Sequence, residues 1–444
     1  MPLTDSPERI AIIGSGISGL GAAWSLRNRN ITIFEKEPRP GGHSNTVDIA
    51  LDGQQVPVDT GFIVYNERNY PNLTLFFQHL GVATAESDMS FSVSVDGGRL
   101  EYSGNSIATL FAQKRNLVNL RHWRMIRDIL RFFRNASALL NDPQGDDLSL
   151  GEFLARGGYG QAFIQDHLLP MAAAIWSAPM STLRAFPARS FAQFFANHGL
   201  LSVNDRPQWR TVAGGSRSYV QRVLVDLPNL QLNSGIETIR RTETGVEIRH
   251  QGAWQSFDRV LLACHADQAL RLLDDADASE WGLLDAFRFQ PNTAYLHRDV
   301  ALMPRRRRAW ASWNHLSRTA PQGRDEDADV SVTYWMNRLQ PLATKTDVFV
   351  TLNPLTEPDP ALTYARIDYD HPIFDHAAVS AQARLSAVQG YRNIFYAGAW
   401  TGYGFHEDGL RSGLRAGLAL GGSIPWALAE ATKTGARLLP DAAE

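Results

Sequence analysis

At 444 residues, with 44% hydrophobic and 20% charged side chains, the chain exceeds what one hydrophobic core usually serves and predicts two interlocked domains. A formal net charge of −3 argues against a generic nucleic-acid binder, and no nucleic-acid partner is expected. The single cysteine, Cys264, excludes an internal disulfide and a cysteine metal cluster, and is compatible with a reducing cytoplasm.

The N-terminus lacks a basic stretch followed by a free apolar run, and no later run reaches membrane-spanning length. A cytoplasmic protein not integral to a membrane is expected. Arg9 to Ile13 reads as a short buried parallel strand ended by glycine. Gly14-Ser15-Gly16-Ile17-Ser18-Gly19 follows, and then Leu20 to Leu26 with helical periodicity. Gly14 permits the tight turn, Gly16 lets the backbone approach a pyrophosphate, and Gly19 allows close helix–strand packing. The helix start, with Ser18 in its first turn, points free N–H groups at phosphates. A second strand, Ile31 to Phe34, ends in Glu35, 21 residues after Gly14. A carboxylate there accepts hydrogen bonds from adenosine ribose hydroxyls and repels a 2′-phosphate, which disfavours NADP.

Residues 86–204 begin with a strand, Phe91 to Val95, and turn helical from Ser106 to Leu140, with a loop from Asn141 to Asp147. Between Lys114 and Arg134 stand seven basic residues and one acid, Asp128. Arg121, Arg124, Arg127, Arg131 and Arg134 recur along one face, with Leu120, Trp123, Ile126, Ile129, Leu130 and Phe133 on the other. Such a helix either packs on a core with a solvated arginine face or lies on an anionic membrane surface. The second option predicts peripheral contact at the inner membrane face through 114–134. Arg305 to Arg308 form a second basic run. Residues 275–375 alternate apolar and polar side chains, as in Val330 to Trp335, and predict a sheet with one covered face. His371, before Pro372, reads as a structural or solvated loop residue. Neither a GxSxG elbow nor an HExxH pair occurs, so hydrolase and zinc chemistry have no support and no metal is expected.

Several segments resemble the flavin amine oxidase superfamily: Lys36 to His43, Val58 to Phe62, Val212 to Gly215, Gly235 to Ile239, Asn393 to Trp400 and Gly404 to Gly409. The resemblance implies an α/β fold, with a discontinuous Rossmann-type FAD-binding domain (1–85, 205–270 and 380–435). An inserted α+β substrate domain (86–204 and 275–375) would lie over the flavin, as in amine oxidase and glutathione-reductase-like proteins. It implies non-covalent FAD, with Lys36 and Gly42 beside the cofactor and His43 where the family usually has arginine. Gly61 and Phe62 would run beneath the isoalloxazine, Ile236 would meet the adenine through its backbone, and Gly398 and His406 would lie near the flavin pyrimidine. The helix Leu410 to Leu420 would then stabilise a reduced, anionic flavin.

Amine oxidases of this superfamily use a lysine near flavin N5 and an aromatic cage. Of four lysines only Lys345 has a suitable position, and Phe405 matches the second cage aromatic. Cys264 is assigned to a strand, away from covalent flavin attachment. His297, Arg305 to Arg308, Trp310 to His315 and Gly402 to Gly409 resemble more closely the bacterial "predicted NAD/FAD-binding" proteins. These are related to a furan fatty acid oxidase and, more distantly, to polyunsaturated fatty acid isomerases and carotenoid desaturases. That resemblance implies an oxidoreductase acting on an unsaturated or methylated fatty acyl lipid, with His406 and Glu407 near the flavin and Phe405 and Trp400 as apolar walls. The alternatives are a flavin amine oxidase, a fatty acyl double-bond isomerase and a non-catalytic FAD-containing binding protein.

Overall fold

The computed structural model describes residues 7–141, 148–176, 180–197, 200–201, 207–227, 229–318 and 330–429. Apart from Asn141, the loop expected up to residue 147 lies outside them. Strand β1 (Arg9–Ile13) enters a five-stranded parallel sheet beside β2 (Asn30–Phe34). Leu230–Gln231 pairs outside β2, and Arg259–Leu262 and Ile394–Tyr396 follow on the far side of β1. Both faces of this sheet are covered, which is why β1 reads as a continuous apolar run rather than an alternating one.

Helix α1 (Ile17–Ser25) is buried along its whole length. It crosses the helix His406–Ala419 at close range because small residues line the crossing. A Cβ on Gly409 would sit 2.7 Å from Ile17 Cγ2, and one on Gly413 would collide with the Ser18 carbonyl. The start of the later helix is thereby held against the glycine loop. That helix begins at His406, four residues before the expected Leu410. Asp408 explains the early start, since its Oδ2 accepts the N–H groups of Tyr403 (3.0 Å) and Phe405 (3.1 Å).

A seven-stranded sheet runs in the order Thr363–Pro372, Phe289–His297, Phe349–Leu352, Val330–Trp335, Trp313–Ser317, Phe91–Val95, Leu100–Ser103. Only the Trp313–Ser317 and Phe91–Val95 pair is parallel. His371 lies in the edge strand Thr363–Pro372, not in a loop, and Pro372 is tolerated there at the strand end.

Helices over 107–197 cap this sheet around an aromatic core that includes Phe132, Phe163, Trp176, Phe191 and Phe195. The helical stretch expected from Ser106 to Leu140 is divided into separate elements. Helix α2 (Pro71–His79) precedes it in the chain, α3 (Ile107–Leu110) carries a Ser106/Thr109 capping box, and Lys114–Val118 is a 3-10 turn. Helix α4 (Leu120–Asn141) then starts afresh. Asn119 forces the new start: its Oδ1 accepts the Arg121 N–H at 3.0 Å, as an N-cap does.

Candidate functional site

The glycine loop leaves β1 through Gly14, whose φ of +103° is one that side-chain-bearing residues rarely adopt. A Cβ there would lie 2.7 Å from the Ala263 carbonyl, and one on Gly19 would strike the Gly14 carbonyl. At the end of β2 the Glu35 carboxylate is buried and oriented. Its Oε2 accepts Ser15 N–H (2.9 Å) and Ser15 Oγ–H (2.6 Å), and its Oε1 accepts Glu37 N–H (2.9 Å). A lone pair remains on Oε1 for a further donor. Gly41 N–H donates to the Ser15 carbonyl at 2.9 Å, which brings Gly42 against Gly16. The position above Gly16 that a Cβ would fill has no atom within 4 Å.

This cradle is one end of a cavity of about 1570 Å³. Its lining brings together Gly14, Gly16, Ser18, Glu35, Lys36, Gly42, His43, Gly61, Phe62, Ile236, Gly398, Phe405 and His406. Gly19 packs behind the loop and does not line it. The charged lining residues are Glu35, Lys36, Glu37, Arg39, Arg271, Arg366, Asp368 and Asp370. Among the described residues, the opposite wall, contributed by residues 102–200, carries no Asp, Glu, Lys or Arg. It includes Ile107, Ile126, Leu130, Phe133, Ile175 and Phe194, and Phe405 stacks on Phe194 at 4.9 Å.

Imidazoles line the cavity between these two ends. His406 stacks face to face on Phe62 (3.8 Å, 7°), and its Nε2 is hydrogen-bonded to Tyr219 OH (2.7 Å) and Ser44 Oγ (3.1 Å). Burial pushes its pKa down to about 3. His43 stacks on Tyr369 (4.8 Å) with its ring 5.3 Å from that of His371. Its Nε2 is buried without a partner among the described residues. Burial, then the neighbouring His371, His265 and His406, hold its pKa well below 6.5. Tyr369 is fixed by Asn45 Nδ2 (3.0 Å) and Thr60 Oγ1 (2.9 Å).

The tautomer of His371 follows from a chain of amides. Thr293 N–H donates to Asn353 Oδ1 (3.0 Å), so Asn353 Nδ2 is the donor to Asn292 Oδ1 (2.7 Å). Asn292 Nδ2 then donates to the Gln290 carbonyl (3.0 Å) and to His371 Nδ1 (2.9 Å). With Nδ1 accepting, the proton of His371 resides on Nε2. Burial, reinforced by His265, pushes its pKa down to about 4, so the ring is a neutral N–H donor at pH 7. The sequence reading gives His371 a structural or solvated role, and the structure places it in the cavity lining. The available signal was the period-two pattern that puts Tyr369 and His371 on one strand face.

Two expected catalytic residues are not brought to the cavity. Lys345 is exposed in a turn where Thr344 and Thr346 both donate to Asp52, and it does not line the cavity. Glu407 is buried, but its carboxylate turns to the start of α2, accepting Asn72 N–H (3.1 Å), Asn72 Nδ2–H (2.7 Å) and Leu73 N–H (2.9 Å). It caps a helix. Cys264 lies just beyond the strand Arg259–Leu262, half-buried in the cavity wall, where burial pushes its thiol up to about 12. Trp400 also lines the cavity, and its Nε1–H donates to the Cys264 carbonyl at 3.0 Å.

A family model for the NAD(P)-binding Rossmann-like domain matches residues 12–80. Prenylcysteine oxidase 1 of Bos taurus is 28% identical over 193 residues, which span 37% of this chain and 37% of that relative. The chain thus matches just over a third of the length of that curated relative. Among solved structures, a putrescine oxidase bound to putrescine is similar with a TM-score of 0.64 at 16% identity, over 93% of this chain and 98% of that one. A CLA-producing fatty acid isomerase from P. acnes gives 0.63 at 17% identity, over 92% and 97%. The fold is that of the flavin amine oxidases.

In this flavin amine oxidase fold the residues present fit an FAD-type dinucleotide. The open space above Gly16 suits a pyrophosphate, the oriented Glu35 suits a ribose, and His43 lines the same cavity with its buried Nε2 left without a partner among the described residues. At the α4 end, the helix presents three stripes rather than the two expected. His122, Met125, Phe132 and Ala136 face the core, Ile126, Leu130 and Phe133 face the cavity, and Arg124, Arg127 and Arg134 face outward. Among the described residues, no helix is long and apolar enough to cross a membrane, and no group of three or more His, Cys, Asp or Glu could hold a metal.

Proposed function

We propose that the protein is an FAD-dependent oxidoreductase acting on a long apolar substrate, an unsaturated or methylated fatty acyl lipid. The observation that carries this reading is the uncharged wall from residues 102–200 facing the dinucleotide cradle across one cavity. The cavity exceeds the roughly 300–1,000 Å³ of a drug-sized ligand site, so cofactor and substrate have room together. Each CH₂ moved from water into such a wall contributes about 0.8 kcal/mol. An ammonium group placed there would lose its hydration with no carboxylate to replace it, which weighs against an amine.

A bound flavin supplies the two-electron acceptance that no side chain here offers. The chain's own part is to hold the acyl carbon in place against Phe405 and Phe194, exclude water, and present the Nε2–H of neutral His371. Oxidation removes two electrons and two protons from the substrate, and an external acceptor must take them in the end. The flavin is held non-covalently in this reading, consistent with a Cys264 thiol kept protonated.

Anaerobic mixing of the flavin-loaded protein with unsaturated fatty acids, phospholipids, amines and polyamines tests the proposal. Lasting loss of flavin colour with an acyl lipid is the expected result. Transient bleaching with a shifted double bond would make the enzyme an isomerase. Bleaching by amines alone, or by no compound, would overturn the lipid reading. Acid precipitation should release the flavin into the supernatant, and flavin retained in the pellet would overturn the non-covalent assignment.

A further inference from the structure

Eleven large apolar side chains are well exposed among the described residues, and six fall within 107–130: Ile107, Leu117, Val118, Leu120, Trp123 and Leu130. Val118 is 85% exposed, Ile107 80% and Leu120 71%. Apolar side chains scattered singly over a surface need no explanation, but a cluster of this kind marks a binding surface. Ile107 and Leu130 also line the cavity, so the patch is the outer rim of its mouth. Helix α3 buries none of its residues.

The charges around the rim have one dominant sign. Of the basic residues between Lys114 and Arg134, Arg121 is paired with Asp166 and Arg127 and Arg131 with Asp128. Asp128 is buried and also accepts the Gly160 N–H at 2.9 Å. Lys114, Arg115, Arg124 and Arg134 make no ion pair among the described residues. In the exposed run 305–308, Arg306 is paired with Glu101 and Arg307 with Asp347, so Arg305 and Arg308 add to the excess beside the turn Arg307–Ala309, which packs against α3.

We propose that residues 107–133 form a lip that docks on an anionic lipid bilayer, with the cavity mouth between α3 and α4 facing the acyl layer. The exposed apolar side chains enter the interface while the surrounding arginines reach the headgroups. A protein seated on this patch would close the mouth. A bilayer leaves it open, and its own acyl chains continue the apolar wall outward. The docking stands on the patch and its charge, whereas entry of substrate from the bilayer rests on the function proposed above.

Flotation of the flavin-loaded full chain tests the docking, with vesicles of phosphatidylglycerol and phosphatidylcholine compared with phosphatidylcholine alone. The protein is expected to float with the anionic vesicles at low salt, and about tenfold or more less with the neutral ones. The double variant Val118→Asp/Leu120→Asp should lose flotation at all salt concentrations. Arg124→Glu/Arg127→Glu should lose it mainly with anionic lipid. Circular dichroism and flavin content establish that each variant is folded. Wild type that stays in the dense fraction, or a Val118→Asp/Leu120→Asp variant that floats like wild type, overturns the docking. A dimer in solution that the same variant abolishes, without flotation, assigns the patch to a second copy and overturns it too. Bleaching by detergent-dispersed acyl lipid is measured separately, so failure of docking and failure of the substrate reading are told apart.

Discussion

His371 illustrates how one side chain's chemistry is set by groups far away in sequence. Its Nδ1 is locked as an acceptor because Asn292 is locked as a donor, and Asn292 is so oriented because Asn353 answers to a backbone N–H. Asn292→Asp reverses the last link. An aspartate offers only lone pairs to Nδ1, so that nitrogen must carry a proton and the imidazolium is favoured. The pKa of His371 should rise from about 4 toward or above 6.5. Imidazole ¹⁵N shifts followed through a pH titration report it, and an unchanged His371 titration would show that the amide chain does not set its state. The contrast with Glu35 shows what the sequence makes legible at this scale. Glu35 stands at a fixed spacing from Gly14 on adjacent strands, and a local pattern contains both. Asn292 and His371 are 79 residues apart and meet only through strand pairing, so no local signal joins them.

At the scale of elements, Glu407 separates a structural role from a catalytic one. Its carboxylate receives three donors at the start of α2, joining that helix to the helix that carries His406. Glu407→Gln keeps the shape but offers one acceptor oxygen to the three donors, leaving buried N–H groups unsatisfied. The cost should be about 1–3 kcal/mol of stability, read as a lower urea midpoint with FAD affinity nearly unchanged. Unaltered stability with slowed flavin reduction would instead return Glu407 to the chemistry. The motif placed Glu407 beside His406 correctly along the chain. The first turn of a helix, however, sends successive side chains to different faces, and only the packing of α2 decides which one meets the cavity. Helix α4 teaches the same lesson. Its arginine stripe was legible from periodicity, but its apolar side splits between core and cavity, a division set by the neighbouring Phe163 and Phe191 rather than by α4 itself.

For the molecule as a whole, the dinucleotide-binding half was legible because strand, glycine turn and helix are consecutive in sequence. A sheet over 275–375 was legible from its alternation, but its joining to Phe91–Val95 was not, since that strand pairs with Trp313–Ser317 across more than two hundred residues. Folding buries histidines in that sheet (His297, His315 and His371) and at the start of the helix His406–Ala419, none with an ion-pair partner among the described residues, and this predicts how stability depends on pH. Burial pushes His315 and His406 down to about 3, and His297 and His371 to about 4, from an ordinary 6.5. Above pH 6.5 both the folded and unfolded states hold these rings neutral, and the full stability is present. Below it the unfolded chain takes up protons that the folded chain refuses, so stability falls by about 1.4 kcal/mol per pH unit for each ring. Asp59 works in the opposite sense. Burial raises it from 3.8 to about 6 against the pull of Thr46 and Ser216, so it favours the folded state as pH falls through that range. One carboxylate offsets roughly one histidine, and the net loss remains steep for a fold of about 5–15 kcal/mol. The urea midpoint of the flavin-free protein should therefore drop continuously from pH 6.5 to 5. His315 allows a sharper test, because both its ring nitrogens are buried without partners among the described residues and it does not line the cavity. His315→Leu removes one refusing ring, so its stability relative to wild type should improve by about 1.4 kcal/mol for each unit of acidification over that range. Parallel pH curves for the variant and wild type would mean that His315 is protonated in the folded protein without penalty.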